Sequence, residues 1–323
     1  MKASSKNTQS AVVRLLIREA SAVLLAMFMV GMALVLKRHE FIFPELAALS
    51  IGSLIIVKRV WCVSRWRTVV LLTLAALLGT TLYYYSPLPL VINVAIGFTG
   101  VAALLIILRS SLYPALSACL LPLVLNESSW IYPLAVFLLA LILVSTQWLL
   151  ERFHLRTALP FRPVERRVSE RIVRACYILV VVTLVVGAAT FCDQRFFILP
   201  PLIVLFVEFS RPEAGLRKAP FRIICLMAMA ALLGNFGKLF LEPFLGLSPI
   251  VSVTCILVLL FAVFSAAKRY FAPAAAIAVL PQILEQSNWY LFPIEVTAAT
   301  ALFIGVALLL FRQKRAKFPL EKV

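Results

Sequence analysis

The sequence predicts an all-α integral membrane protein, a polytopic bundle of about 10–12 membrane segments, from its composition, its segmentation and its charge distribution. Hydrophobic residues make up 63% of the 323 positions, charged residues make up only 14%, and the mean hydropathy is +1.02. A water-soluble fold with this composition would lack the polar residues needed to cover its surface. The composition therefore excludes a soluble globular domain and predicts the lipid bilayer as the main partner.

Charges and Pro or Gly turns divide the chain into twelve apolar segments, six in each half. The first six cover residues 20–36, 41–57, 68–108 (two segments, divided at 85–89), 110–126 and 130–150; the second six cover 175–191, 196–209, 223–240, 247–267, 270–284 and 289–311. Segments 110–126 and 270–284 would be about 22–26 Å long as helices, shorter than a ~30 Å hydrocarbon core. Each carries two prolines, so we expect broken or tucked-in helices that are buried in protein.

The basic residues fall on one side of the membrane when the N-terminus is placed inside. Of the 31 Lys and Arg residues, 27 then lie inside, and the four others, Lys37, Arg38, Arg195 and Lys238, lie outside or near the outer face. Cytoplasmic loops carry such an excess of Lys and Arg. The net charge of +17 is therefore a topology signal. It predicts cytoplasmic N- and C-termini in a bacterial inner membrane, with no nucleic acid as a partner.

The two halves also share residue spacings. Arg18 precedes Pro44 by 26 positions, and Arg174 precedes Pro200 by the same 26. Gly79 lies twelve residues after Arg67, and Gly234 lies twelve residues after Arg222. A third match consists of two groups whose members are eight residues apart: Pro114, Pro122, Trp130 and Pro273, Pro281, Trp289. Groups in register at an offset of 155–160 residues predict two parallel repeats, residues 1–150 and 170–323, joined by a basic connector, residues 151–169.

Duplicated transporters place the substrate path between their repeats, lined by discontinuous helices. The prolines expected to break such helices are Pro44, Pro114, Pro122, Pro200, Pro201, Pro273 and Pro281. We expect the Pro114/Pro122 and Pro273/Pro281 segments to face each other across the centre. Prolines that merely kink their helices are the alternative. Gly79 and Gly234 are expected to permit close helix packing.

Ionisable residues at membrane depth are the remaining candidates, because burying a charge in lipid is costly. Glu45 and Glu295 have no opposite charge three or four residues away, so each must find a partner across helices, face water or bind a proton. Glu295 is the first candidate for coupling transport to protons, and Glu45 is the second. A carboxylate in headgroup water at the outer rim is the alternative.

Four other charged positions, Lys238, Arg67, Arg222 and Glu208, also have simpler interpretations than a functional one. Lys238 and Glu242 are spaced for a local ion pair. Arg67 and Arg222 are either positive-inside anchors or a paired inner gate for an anion. Glu208, close to the basic inner boundary, is expected to be a solvated helix end.

Residues 206–222 resemble the signature of the HPP family of integral membrane proteins. An apolar strip ends in a Pro-acidic-small turn, followed by Pro-x-Arg and a helix with a small-residue Ala…Gly face. Tyr113-Pro114-Ala115 and Ala272-Pro273-Ala274 occupy the place of the family's His-Pro-Pro motif, which is absent from both. The resemblance implies tandem HPP-like repeats and, since members are associated with nitrite transport, a small-anion transporter. A fainter likeness links the Arg…Gly helices to the membrane halves of fusaric-acid and aromatic-acid exporters.

Together these patterns predict a transporter or channel for a small-molecule solute, with an anion and proton coupling as the specific hypotheses. A non-transport subunit or scaffold of an envelope complex and an intramembrane lipid-modifying enzyme remain open as alternatives. The chain contains no His-Glu-x-x-His, Gly-x-Ser-x-Gly or phosphate-loop motif, and its two His residues lie in loops. The sequence therefore predicts no enzymatic activity, no metal and no cofactor, and it leaves a homo-oligomer open.

Cysteine labelling tests the predicted topology. In intact cells, a membrane-impermeant maleimide should react with cysteines introduced near Arg38, Asn126, Gln194 and Asn288. It should reach Cys62 and a cysteine near His154 only after permeabilisation. Labelling of Cys62 from outside would contradict twelve crossings, because its basic loop would then be external.

Overall fold

The computed structural model describes residues 2–57, 60–126, 129–161, 163–164, 168–211, 215–284 and 290–311, and every regular element in these ranges is helical. The helices are α1 (Lys2–Leu36), α2 (Glu45–Ser50), α3 (Arg65–Tyr85), α4 (Leu90–Ile107), α5 (Pro114–Leu125), α6 (Ile131–Arg152), α7 (Val168–Phe191), α8 (Pro200–Phe209), α9 (Pro220–Phe236), α10 (Pro249–Ala266), α11 (Ala272–Val279) and α12 (Leu291–Leu310). Within the described ranges, eight helices are long and apolar enough to cross a membrane. The predicted polytopic all-α bundle is confirmed.

Prolines determine where the short helices begin. Five of the seven predicted prolines immediately precede a short helix or lie in its first two residues: Pro44, Pro114, Pro200, Pro201 and Pro273. Proline fits a first turn because its fixed φ suits the helix and its missing N–H would have no partner there. Pro281 lies in the 3₁₀ turn Leu280–Gln282 after α11, and Pro122 lies inside α5. These prolines therefore delimit short helices more than they interrupt long ones.

The four short helices form the centre of the bundle. Every residue of α2, α8 and α11 is buried, as are residues 114–123 of α5. In the opposite half, the main partner of α5 is α8, and that of α11 is α2. The segments that carry Pro114 and Pro273 are thus central, but across the boundary between the halves they pack on α8 and α2 rather than mainly on each other, as was expected. The long helices expose apolar side chains such as Phe28 and Leu184, as lipid-facing helices do.

Helix contacts in the first half have counterparts in the second. Helix α3 packs on α5 and α6, and α9 packs on α11 and α12. Helix α4 packs on α7, and α10 packs on α1. A duplication would produce this correspondence, although the repeats themselves stay a prediction. The predicted connector lies between the end of α6 at Arg152 and the start of α7 at Val168.

Some predicted features lie outside the described residues. They are Trp289 of the second Pro-Pro-Trp group, the labelling position Asn288, residues 212–214 of the HPP-like run, residues 162 and 165–167 of the connector, and the basic residues at positions 58 and 59 and beyond 311.

Two glycines bring long helices against the backbone of short ones. A Cβ at Gly79 in α3 would lie 2.0 Å from the carbonyl oxygen of Cys119 in α5. A Cβ at Gly234 in α9 would lie 2.5 Å from the carbonyl oxygen of Ala278 in α11. The predicted close packing is confirmed at both positions.

Replacing either glycine should destabilise the protein. We expect Gly79→Ala and Gly234→Ala to lower the free energy of unfolding by about 1–3 kcal/mol, since the backbone they would meet cannot move aside cheaply. Gly187→Ala in α7 and Gly305→Ala in α12 are matched controls, because no atom lies within 4 Å of their Cβ positions. Thermal unfolding in detergent measures the difference. Equal stability of all four variants would contradict the close packing.

Candidate functional site

Glu45 begins α2 inside the buried centre, and its carboxylate meets α5. Its side chain is almost completely buried, the Ser117 hydroxyl donates to Oε1, and Oε2 has no hydrogen-bond partner among the described residues. Inner and outer denote here the sides that the predicted topology assigns to the bundle. Ser117 precedes the outer end of α5, at Leu125, by eight residues, or about 12 Å of helix. The carboxylate therefore lies about two turns below the outer end of α5, and its partner comes from another helix.

Glu295 lies near the outer end of α12 and faces the loop between α7 and α8. The backbone N–H of Phe196 donates to its carboxylate. When the Gln194 amide is oriented with its nitrogen toward Glu295, that nitrogen lies 2.8 Å from Oε1 and 3.2 Å from Oε2. Glu295 is thus buried and held by the outer loop, so it also has partners outside its own helix.

The other predicted site residues occupy separate places. Lys238 Nζ lies 3.4 Å from Glu242 Oε2, which confirms the predicted local ion pair. The guanidinium of Arg67 lies 4.5 Å from the ring centroid of Phe161, whereas Arg222 is exposed at the inner start of α9. The predicted residues therefore do not converge on one site.

Glu208 in α8 is buried, so the prediction of a solvated helix end is wrong. The indole Nε1 of Trp61 donates to Glu208 Oε1 over 3.0 Å. The Trp61 ring also packs on Gly52, where a Cβ would lie 2.3 Å from a ring carbon. Gly52 and Glu208 are 156 residues apart, within the repeat offset. One indole therefore contacts corresponding positions of the two halves, a link that no sequence spacing indicated.

Two cavities open at opposite ends of one interface, which we call the seam and which is formed by α4, α5, α7 and α8. The inner vestibule has a volume of about 320 Å³, and its polar lining includes Arg171, Arg174, Arg211, Ser111, Tyr113 and Ser210. The outer vestibule has a volume of about 340 Å³, and its polar lining includes Tyr83, Asn93, Asn126, Asp193 and Arg195. Asp193 and Arg195 form an ion pair at 3.5 Å.

Buried apolar side chains lie along the seam helices between the residues that line the two vestibules. They include Val94, Leu120, Val182, Val186 and Ile203. On α4, the nearest lining residues of the two vestibules are five residues apart, or about 7.5 Å along the helix. On α7, the nearest lining residues are eleven residues apart, or about 16 Å. The barrier is thus much thinner than the membrane.

The described lining of the inner vestibule has three guanidinium groups and no carboxylate. Arg171 Nη2 donates to the carbonyls of Leu105 and Ser110, each at 2.9 Å, at the inner end of α4. The Arg211 guanidinium lies 5.8 Å from the Tyr113 ring centroid. Guanidinium groups held in this way suit an anion. Sequence reasoning used these arginines as topology signals, and Arg174 also as a repeat marker, because a positive-inside loop and an anion site have the same composition.

The fold and these features define a polytopic all-α membrane protein with buried carboxylates and paired vestibules. Within the described part of the chain, no three His, Cys, Asp or Glu side chains are grouped closely enough to hold a metal ion. No protein-family model, curated protein or solved structure matches the chain. The HPP resemblance stays a prediction.

The Trp61–Glu208 hydrogen bond should contribute measurably to stability. Trp61→Phe keeps a ring over Gly52 but leaves a buried carboxylate without its donor, which should cost about 1.5–3 kcal/mol of unfolding free energy. Trp148→Phe, at a half-exposed tryptophan on α6, is the matched control. If the two variants unfold at the same temperature, the hydrogen bond does not stabilise the fold.

Proposed function

We propose that the protein is a transporter for a small solute, with anions as its substrate class, in a bacterial inner membrane with cytoplasmic termini. The observation that carries this proposal is the pair of vestibules at opposite ends of one seam. Alternating access requires a solute path that can be entered from either side and a barrier that small helix movements can open. The thin apolar barrier between the vestibules meets this requirement.

The charge of the inner vestibule supports an anion. Its described lining includes the guanidinium groups of Arg171, Arg174 and Arg211. A negative solute that enters from the cytoplasm, or leaves toward it, would be stabilised there by charge-assisted hydrogen bonds. In the outer vestibule, Asp193 already pairs with Arg195, so an anion would meet less positive charge and be held more weakly.

Glu45 has the stronger case for proton coupling, although the sequence ranks Glu295 first. Glu45 lies deep in the bundle with one free carboxylate oxygen, whereas Glu295 is held by the outer loop. The partner of Glu45, Ser117, directly follows Leu116, which lines the inner vestibule. Protonation of Glu45 would change the hydrogen bond that holds α5. Because α5 forms a wall of both vestibules, this change would reach the solute path.

Flux into proteoliposomes tests the transport proposal. The panel consists of small anions, amino acids and aromatic acids, with and without a pH gradient. We expect uptake of a small anion, reduced about tenfold by Arg211→Gln, since a charge-assisted contact is lost. Arg38→Gln, at an exposed arginine on the outer side, should leave uptake unchanged. No flux of any solute would instead favour a scaffold.

A second comparison isolates proton coupling. Glu45→Gln keeps an acceptor for Ser117 and removes the titratable group, so uptake should lose its dependence on the pH gradient while expression stays normal. Glu295→Gln should have a smaller effect. Glu170→Gln, at an exposed cytoplasmic carboxylate, is the control. Unchanged pH dependence in Glu45→Gln would remove Glu45 as the proton carrier.

A further inference from the structure

A third cavity, separate from the seam, lies at the inner surface beside the connector. We call it the connector cavity; its volume is about 380 Å³. Its walls are the loop before α3, the first turn of α3, the inner end of α6 and the start of the connector. The polar side chains that line it include Ser64, Arg65, Thr68, Gln147, Glu151 and Arg156.

Two side-chain donors of residues that line this cavity have no hydrogen-bond partner among the described residues. Arg156 is only 7% exposed, and its Nε is buried without a hydrogen bond. The Ser64 hydroxyl is also buried and unpartnered, although Ser64 holds the N-cap position of α3, where serine usually bonds the helix backbone. Buried polar groups without partners are rare in proteins. Ser64 and the uncapped first turn of α3 both border the cavity that Arg156 lines.

The cavity keeps a positive charge despite its carboxylate. Glu151 accepts hydrogen bonds from Arg65, Arg156 and Gln147, so two guanidinium groups share one carboxylate. Burial lowers the pKa of Arg156 from its usual value, and Glu151 opposes this effect. Arginine nevertheless stays protonated. An anion in the cavity would reduce the desolvation cost of this buried cation.

We propose that the connector cavity binds a phosphate group. The start of a long helix presents free N–H groups and the positive end of its dipole, and it favours phosphate. Arginine and serine donors complete the usual phosphate environment. The source is either a soluble phosphate compound or the headgroup of an anionic lipid, since the cavity lies at the cytoplasmic boundary. The site does not depend on the transport proposal. Occupancy would tie the connector to α3 and α6.

Thermal unfolding of the full-length protein tests the proposal. In phosphatidylcholine nanodiscs, inorganic phosphate is titrated against chloride at matched ionic strength. A soluble source predicts that phosphate raises the Tm of the wild type. The apparent Kd should weaken about tenfold in Arg156→Gln and roughly fivefold in Ser64→Ala. Ser265→Ala, at an exposed serine near the inner end of α10, should behave as the wild type.

A lipid arm separates the two sources. Replacing part of the phosphatidylcholine with phosphatidylglycerol, without inorganic phosphate, should raise the Tm if a headgroup fills the cavity, and both substitutions should remove that rise. Arg156→Gln deprives Glu151 of a partner and could fail to fold, but Ser64→Ala removes no protein hydrogen bond. The proposal is overturned if the Tm responds in neither arm, or if the response survives Ser64→Ala.

Discussion

The structure depends on one constraint, which is that short helices ending inside a membrane leave backbone groups that lipid cannot satisfy. Such ends are tolerated only where protein surrounds them. Helices α2, α5, α8 and α11 are too short to span the membrane, and nearly all of their residues are buried. The eight long helices therefore surround the four central helices and separate them from lipid. Gly79 and Gly234 bring two of these long helices close enough to touch the central backbone.

The same constraint explains where polar side chains occur at depth. Glu45 lies at the first residue of α2, where a helix N-terminus favours negative charge, and Ser117 reaches it from α5. Glu208 lies near the inner end of α8 and accepts a hydrogen bond from Trp61, which lies in the other half, in the loop between α2 and α3. Glu45 and Glu208 are thus each placed at a short-helix terminus and have a donor from a different element. Polar contacts of this kind hold the central helices in register, a task that apolar packing alone performs less specifically.

Sequence patterns predicted the features that depend on hydropathy and spacing. The apolar segments, the two close-packed glycines and the Lys238–Glu242 pair all follow from local rules, and the structure contains them. The Trp61–Glu208 bond and the two vestibules did not follow, because they join residues far apart in sequence that carry no shared spacing. Arg156 shows the difficulty. It is one of seven arginines near the connector and is buried with Glu151, but the composition of the connector is that of an ordinary basic loop.

Differences between the halves explain why a vestibule opens at the α4–α7 contact. Arg18 and Arg174 correspond at the repeat offset, as do Ile55 and Arg211. In the first half, Arg18 donates to the Ile55 carbonyl, and Glu19 beside it accepts from Tyr270. In the second half, Arg174 and Arg211 carry like charges, and Ala175 replaces the carboxylate of Glu19. Hydrogen bonds within the protein thus join Arg18 and Glu19 of α1 to neighbouring elements, whereas the corresponding region of α7 lines a cavity with basic side chains.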